Sequence, residues 1–357
     1  MKRIGLLTSG GDCQGLNPAL RGVAKALYEE FDNDIELYGI IDGYRGLIYG
    51  EHRVMKPDDF SGILRTGGTI LGTSRQPFKY MRTVDENSVD KVAAMKENYK
   101  KLKLDALVIL GGNGTHKTAN LLAGEGLNVV TLPKTIDNDI WGSDMTFGFQ
   151  SAVDVATNVI DCIHTTATSH GRIFIVEIMG HKAGWLTLHA GIAGGADIIL
   201  LPELPYDLQN VIQTLNKRQK EGKNFSILAV AEGAISKEDS LLSKKELKAK
   251  KTASPYPSVA YKISKNLGEA LGQEIRVCVP GHIQRGGDPC PYDRVLSTRF
   301  GVAAAKLIKD KNFGNMVALK STQILPVPLA EVAGKLKYVP KDSELIATAK
   351  EMGVSFG

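Results

Sequence analysis

The chain has 357 residues, 43% hydrophobic and 23% charged, enough for two domains of ordinary size, each with its own core. The net charge of +5 is mild, and the cluster Lys244, Lys245, Lys248, Lys250 and Lys251 is flanked by acids without aromatic interleaving, which sets nucleic-acid binding aside. Four cysteines without CxxC spacing argue against a zinc module or disulfide framework, and no run approaches the ~18 apolar residues of a membrane span.

Met1–Arg3 leads into a strand-like run and then glycines, not a signal peptide's apolar stretch, so a cytoplasmic location is expected. Ile4–Thr8 reads as a buried strand and Ser9-Gly10-Gly11-Asp12 as a tight turn. Asn17 reads as the cap of a helix with Pro18 at its first position and Leu20, Val23, Ala24 and Leu27 at helical spacing. Strand, glycine turn and helix N-terminus together make an anion cradle. Ile35–Ile41 is a second strand, with Asp42–Gly46 as the loop beyond it. The run 67–75 (GGTILGTSR) is another glycine loop, ending in an arginine suited to phosphate. A helix over Val89–Leu102, a strand over Ala106–Leu110, the loop Gly111–Thr115 and a helix from His116 form a second cradle. Val129–Leu132 is a strand stopped by Pro133, and Lys134–Asp139 then sets Asp137 and Asp139 two residues apart beside Lys134 and Thr135. The crevice beyond the strand ends of an open parallel sheet is where chemistry gathers. The pair fits a proton acceptor with a metal or phosphate environment, although Asp-Asn-Asp is also ordinary turn chemistry.

The pattern then restarts. Helix Ser151–Thr166 precedes strand Arg172–Ile178, which ends in Met179-Gly180-His181. A helix at Trp185–Ile192, strand Ile198–Leu201, helix Leu208–Glu221 and strand Ser226–Ala231 lead to Glu232-Gly233. The lysine-rich stretch 236–252 is expected as an exposed excursion. Helix Ser258–Leu271, strand Arg276–Val279, the loop Gly281–Gly287 (GHIQRGG), helix Asp293–Ile308 and strand Met316–Lys320 complete the chain. These repeated units specify an α/β fold: two Rossmann-like halves with largely parallel sheets facing across an active-site cleft. Ser9-Gly10-Gly11-Asp12 lacks GxGxxG spacing, which counts against a nicotinamide dehydrogenase.

The ordered set SGGD, GGTILGTSR, GGxGT, PKTIDND, SHGR, MGH and PGHIQRGG, running from residue 5 to about 300, resembles the phosphofructokinase family. PKTIDND and GHIQRGG are its most specific parts. The resemblance implies a phosphoryl-donor domain over 1–148 plus about 284–334, and a sugar-phosphate domain over 149–283 plus about 335–357. It implies phosphorylation of fructose 6-phosphate at the 1-hydroxyl with ATP and Mg2+. Asp137 matches the family's base. Thr135 and Arg285 match residues that assist it, and Thr135 and Ile136 line the sugar. Arg172, Met179, Gly180, His181, Glu232, Arg276, His282, Ile283, Gln284 and Arg285 match sugar-phosphate contacts. Arg172 and Arg276 match arginines that complete a neighbour's site, which implies a homo-oligomer, dimer or tetramer. Gly11, Ser74, Arg75, Gly112, Asn113, Gly114 and Thr115 match the donor side, with Asn113 and Asp139 toward the metal.

Three positions depart from the family pattern. Asn113 stands where an acidic residue usually serves magnesium, so weaker metal binding is expected. Gly114 stands where pyrophosphate users carry an aspartate that would crowd and repel a nucleotide's α-phosphate, while Lys134 is the lysine typical of those users. The missing block outweighs the lysine and favours ATP. His181 replaces the arginine of MGR and brings less reach. Arg21 matches a basic effector-site residue, but Lys25 and His164 stand where arginines are usual, so no effector is predicted. The alternatives are a pyrophosphate-dependent phosphotransferase and a non-catalytic sugar-phosphate-binding paralogue or regulatory subunit.

Overall fold

The computed structural model describes residues 1–85 and 88–357. In chain order its elements are β1 (Lys2–Ser9), α1 (Leu16–Glu30), β2 (Ile35–Ile40), α2 (Tyr44–Tyr49), β3 (His52–Met55), α3 (Lys91–Lys101), β4 (Ala106–Gly111), α4 (Asn113–Gly124), β5 (Val129–Pro133) and α5 (Phe149–His170). There follow β6 (Ile173–Ile178), α6 (Trp185–Ala193), β7 (Ile198–Leu200), α7 (Leu208–Lys220), β8 (Ser226–Ala231), α8 (Lys237–Ser240), α9 (Lys244–Thr252), α10 (Val259–Leu271) and β9 (Ile275–Cys278). The last are α11 (Pro291–Lys309), β10 (Asn315–Lys320), β11 (Gln323–Pro328), α12 (Leu329–Val332) and α13 (Glu344–Glu351). The chain divides into two compact units, Met1–Ser151 with Arg285–Lys337 and Ala152–Gln284 with Tyr338–Gly357.

The first unit holds a seven-stranded sheet, ordered β11-β10-β5-β4-β1-β2-β3. Its five inner strands are parallel, and β3 and β11 pair antiparallel at the edges. Every residue of β4 and β5 is buried, as expected of strands covered on both faces, which read as continuous apolar runs instead of alternating ones. The second unit holds a four-stranded parallel sheet, β7-β8-β6-β9, with its own core around Ile175, Leu228 and Val230.

Three expected helix starts are corrected. Asn17 does not cap α1. That helix opens at Leu16 behind Gly15, whose φ is 95°, and Pro18 is its third residue. Asn17 is buried, donating to the carbonyls of Thr66 (3.0 Å) and Gly67 (3.1 Å) and accepting from the Ile70 N–H (2.8 Å), so it anchors the 67–75 glycine loop. Helix α4 begins at Asn113, not His116, which makes the GGNGT loop its first turn. Helix α11 begins at Pro291, and Asp293 is buried inside it, accepting from the Ser151 N–H (2.8 Å) and hydroxyl (2.6 Å). The excursion after β8 is helical as α8 and α9, and α9 buries no residue.

Candidate active site

Strands β1, β4 and β5 end level with one another, Ser9 opposite Gly111 and Gly111 opposite Pro133. The three loops that follow therefore share one edge of the first sheet. The buried Lys134 donates its ammonium to the Gly11 carbonyl and its N–H to the Gly111 carbonyl (3.0 Å). Burial pulls its pKa below the ordinary lysine value. The Arg285 guanidinium lies over Gly11, and a Cβ there would displace it. The Arg285 Nε is buried without a hydrogen-bond partner among the described residues. Two cations stacked on one glycine turn, one carrying an orphaned donor, form an anion-directed arrangement. Beside them the Cys13 thiol is pushed up to about 12, chiefly by burial, which keeps it protonated and unreactive.

The glycine loop 67–75 is sewn to the same edge. Gly10 donates to the Ser74 carbonyl (3.0 Å), Thr73 donates to the Gly10 carbonyl (2.8 Å), and the Ser74 hydroxyl donates to the Asp42 carbonyl (2.7 Å). Arg75 follows, exposed. Across the turn, Gly112 caps α4 without a side-chain hydrogen bond, leaving the helix's positive end for an anion. Thr115 is buried and donates to the Ser9 carbonyl (3.4 Å). Asn113 donates its amide N–H to the Lys335 carbonyl (2.5 Å), so the hydrogen bond engages the amide nitrogen and not the oxygen. Gly114 is exposed, and a Cβ there would have no neighbour within 4 Å.

The carboxylate loop is held from several sides. The Thr135 hydroxyl accepts the Asp137 N–H (3.1 Å), and the Thr135 carbonyl accepts from the Thr146 hydroxyl (2.8 Å). Asn138, at φ 50°, accepts from the Thr146 N–H (3.1 Å) and the Lys337 ammonium (2.9 Å). Ile136 and Asp139 are buried and Asp137 is partly exposed. Burial first, and then the charge of Asp137, push the Asp139 carboxyl up to about 7. Two carboxylates in one another's field, one of them poorly solvated, call for a cation.

In the second unit Glu232 organises the strand ends. It follows β8, donates its N–H to the Ile178 carbonyl (2.8 Å), and accepts the N–H groups of Gly180 (3.2 Å) and His181 (2.6 Å) on one carboxylate oxygen. His181 holds φ 53° and is exposed, so the loop presents its ring outward from a left-handed backbone. Gln284 is fully buried, its amide accepting from the Met179 N–H (3.2 Å) and donating to the Gly281 carbonyl (3.1 Å). It shapes the loop that presents the exposed His282 and Ile283. Arg172 and Arg276 are not among these residues. They sit at the opposite ends of β6 and β9, roughly 20 Å from Met179 at ~3.3 Å per residue. There Glu274 pairs with both, Arg172 at 2.8 Å.

A family model described as phosphofructokinase matches residues 3–308. The chain belongs to the phosphofructokinase family. An ATP-dependent 6-phosphofructokinase from Spirochaeta thermophila is 56% identical over 359 residues, covering 100% of this chain and 98% of that one. ATP-dependent 6-phosphofructokinase 3 from Bacteroides thetaiotaomicron is 46% identical over 356 residues, covering 99% and 100%. Solved phosphofructokinases from Pichia pastoris and Saccharomyces cerevisiae match with TM-scores of 0.78 and 0.80 at 30% identity. Each match covers 99% of this chain but only 36% and 47% of those longer ones. A pyrophosphate-dependent phosphofructokinase from Marinobacter aquaeolei matches with a TM-score of 0.81 at 19% identity, a likeness of fold alone.

Of the phosphofructokinase positions expected from sequence, the first unit gathers Gly11, Gly112–Thr115, Lys134–Asp139 and Arg285 around one sheet edge, and the second gathers Met179–His181, Glu232 and His282–Gln284. Sequence reasoning missed Cys13, Thr146 and Lys337. Thr146 closes its own loop back onto Thr135 and Asn138, and Lys337 reaches that loop from nearly 200 residues away, a contact for which no spacing rule exists.

Proposed function

We propose that this phosphofructokinase transfers the terminal phosphoryl group of ATP to the 1-hydroxyl of fructose 6-phosphate. The observation that carries this reading is Asp137, partly exposed on the loop that follows the buried Lys134, whose sheet edge also carries Arg285 and the N-terminus of α4. A hydroxyl nucleophile needs a carboxylate acceptor, and phosphoryl transfer otherwise depends on positioning and cationic contacts. Asp137 takes the hydroxyl proton, while Arg285 and the α4 terminus balance charge on the phosphoryl oxygens. Met179, Gly180, His181, Glu232, His282 and Ile283 recognise the sugar phosphate, with Gln284 holding the Met179 end. Gly11, Ser74, Arg75, Gly112 and Thr115 shape the donor side.

Mg2+ fits the residues present. Among the described residues no cluster of three or more His, Cys, Asp or Glu forms a closed cage, which suits an ion held by one or two carboxylates together with substrate phosphates. Asp139, with its raised pKa, and the amide oxygen of Asn113 would hold it. When bound it supplies charge neutralisation to the phosphates.

ATP is favoured over pyrophosphate by Gly114. The fold does not require glycine there, since the backbone is helical and a Cβ would meet nothing, yet a helical glycine costs about 1 kcal/mol relative to alanine. A ligand that needs the space accounts for it. Lys134 counts less toward pyrophosphate, because its ammonium is engaged by the Gly11 carbonyl. Arg172 and Arg276, remote from Met179 within their own unit, serve the sugar phosphate bound to a second copy of the chain. The test is aldolase-coupled turnover of fructose 6-phosphate with Mg2+ and either ATP or pyrophosphate. Turnover with ATP and not pyrophosphate, lost about 10³-fold in Asp137→Ala, is expected. Turnover with pyrophosphate alone overturns the donor assignment.

A further inference from the structure

We propose that the segment Gly334–Lys337 is a strap that positions the catalytic loop, with Lys337 as its working residue and Asn113 as its fastening point. The inference rests on the reading of Asp137 and Asp139 as the reacting and metal-facing carboxylates. Seven contacts carry it. The Lys337 ammonium donates to the Asn138 side chain (2.9 Å) and to the carbonyls of Ser143 and Asp144 (2.8 Å each). The Lys337 N–H donates to the Asp139 carbonyl (2.9 Å). Leu336 forms an isolated antiparallel bridge with Ile140. The Lys335 carbonyl accepts the Asn113 amide (2.5 Å), and the Lys335 ammonium stands 5.9 Å from the centre of the Trp141 ring.

The chemistry of the strap matches what the loop lacks. Residues 135–146 follow the end of β5 at Pro133 and lie outside the named strands, so the sheet ladder does not hold them in place. An ammonium has three donors and no acceptor, and Lys337 meets three acceptors on the two limbs of this loop, nearly 200 residues away in the chain. The sheet is held by its own hydrogen bonds, so removing Lys337 frees the loop without opening β4 or β5. Asn113 fits the same scheme: an amide can donate to the Lys335 carbonyl, and the carboxylate usual in the family cannot. Its departure from the family pattern is then a fastening device on the donor-side helix as well as a weaker metal ligand.

The test is Lys337→Met in the full chain, read by amide hydrogen exchange and by steady-state kinetics with ATP and fructose 6-phosphate. Exchange over 135–146 should rise at least tenfold with β4 unchanged. The rate constant kcat should fall 10- to 100-fold, as for a misplaced catalytic group, while KM for the sugar phosphate stays within about threefold. Lys337→Arg, which keeps a cation and its donors, should recover part of the loss. A folded Lys337→Met with unchanged loop exchange, or with kcat within threefold of wild type, overturns the proposal. Should Lys337→Met fail to fold, Asn113→Ala decides by exchange alone: faster exchange over 135–146 supports the strap and unchanged exchange overturns it, whatever the change in Mg2+ requirement. Loop exchange needs no turnover, so a wild-type protein inactive on fructose 6-phosphate would sink the proposed function while leaving the strap testable.

Discussion

Gly114 and His116 sit two residues apart on α4 and pull stability in opposite directions. At Gly114 a methyl group meets open space on a helical backbone, so Gly114→Ala should stabilise the free protein by about 0.5–1 kcal/mol through the unfolded chain's lost freedom. The same methyl group enters space assigned to the donor, so KM for ATP should rise by tenfold or more. A substitution that stabilises the protein and leaves KM for ATP unchanged would remove the steric argument for ATP. His116 is buried, with Nδ1 against the Gly112 carbonyl at 2.8 Å and Nε2 without a partner among the described residues. Burial chiefly, aided by the Lys134 charge, pulls its pKa from 6.5 down to about 4. The unfolded chain therefore takes up the proton first as the solution is acidified. The stability this group contributes is complete above pH 6.5 and lost as pH falls through about 4, an effect of up to ~3 kcal/mol. Urea midpoints measured between pH 7 and pH 4.5 should fall less steeply in His116→Gln than in wild type; parallel falls would mean the ring is solvated.

Among the elements, α1 and α11 pack backbone against backbone. A Cβ on Gly301 would stand 2.5 Å from the Val23 nitrogen, and one on Gly22 3.0 Å from the Thr298 carbonyl oxygen. Gly301→Ala should therefore destabilise by about 1–3 kcal/mol, because neither contact is a flexible side chain that can yield. Gly124→Ala, at the end of α4 with nothing within 4 Å, is the matched control and should be neutral or stabilising. Equal melting temperatures for the two variants would show that the helices slide apart freely. The same elements show what could be read in advance. Inner strands such as ALVILG announce themselves, since burial on both faces demands an unbroken apolar run. The edge strands β3 and β11 do not: HRVM is mostly exposed, and QILPVP carries the prolines that blunt an edge. The start of α4 is hard to read in advance because its first turn is Asn-Gly behind Gly112, with no side-chain cap, so local rules find no start signal there. Asn17 beside Pro18 imitates a cap by local rules, and only the packing shows that its amide is needed elsewhere.

At the level of the whole molecule, the two arginines at the far end of β6 and β9 decide whether one chain suffices. Arg172 immediately precedes β6 and Arg276 lies on the adjacent β9, with Phe174 opposite Arg276, and Glu274 gathers both guanidinium groups. A guanidinium pair held this way is shaped for a phosphate, but the strand length between Arg172 and Met179 keeps it from the sugar-side loops of its own unit. If it serves a second copy, Arg276→Ala should raise KM for fructose 6-phosphate 10- to 100-fold and leave KM for ATP unchanged. The stronger test mixes two inactive variants. In a hybrid of Asp137→Ala with Arg276→Ala subunits, one site combines an intact Asp137 with an intact Arg276 from its neighbour. Random reassortment of equal amounts into dimers should restore about a quarter of wild-type activity at low sugar phosphate, since half the dimers are hybrid and each has one whole site. No recovery, with hybrids verified by mass, would place both residues in one chain's own site and would mean that Arg276 reaches its phosphate by a rearrangement of β9 instead of through a partner.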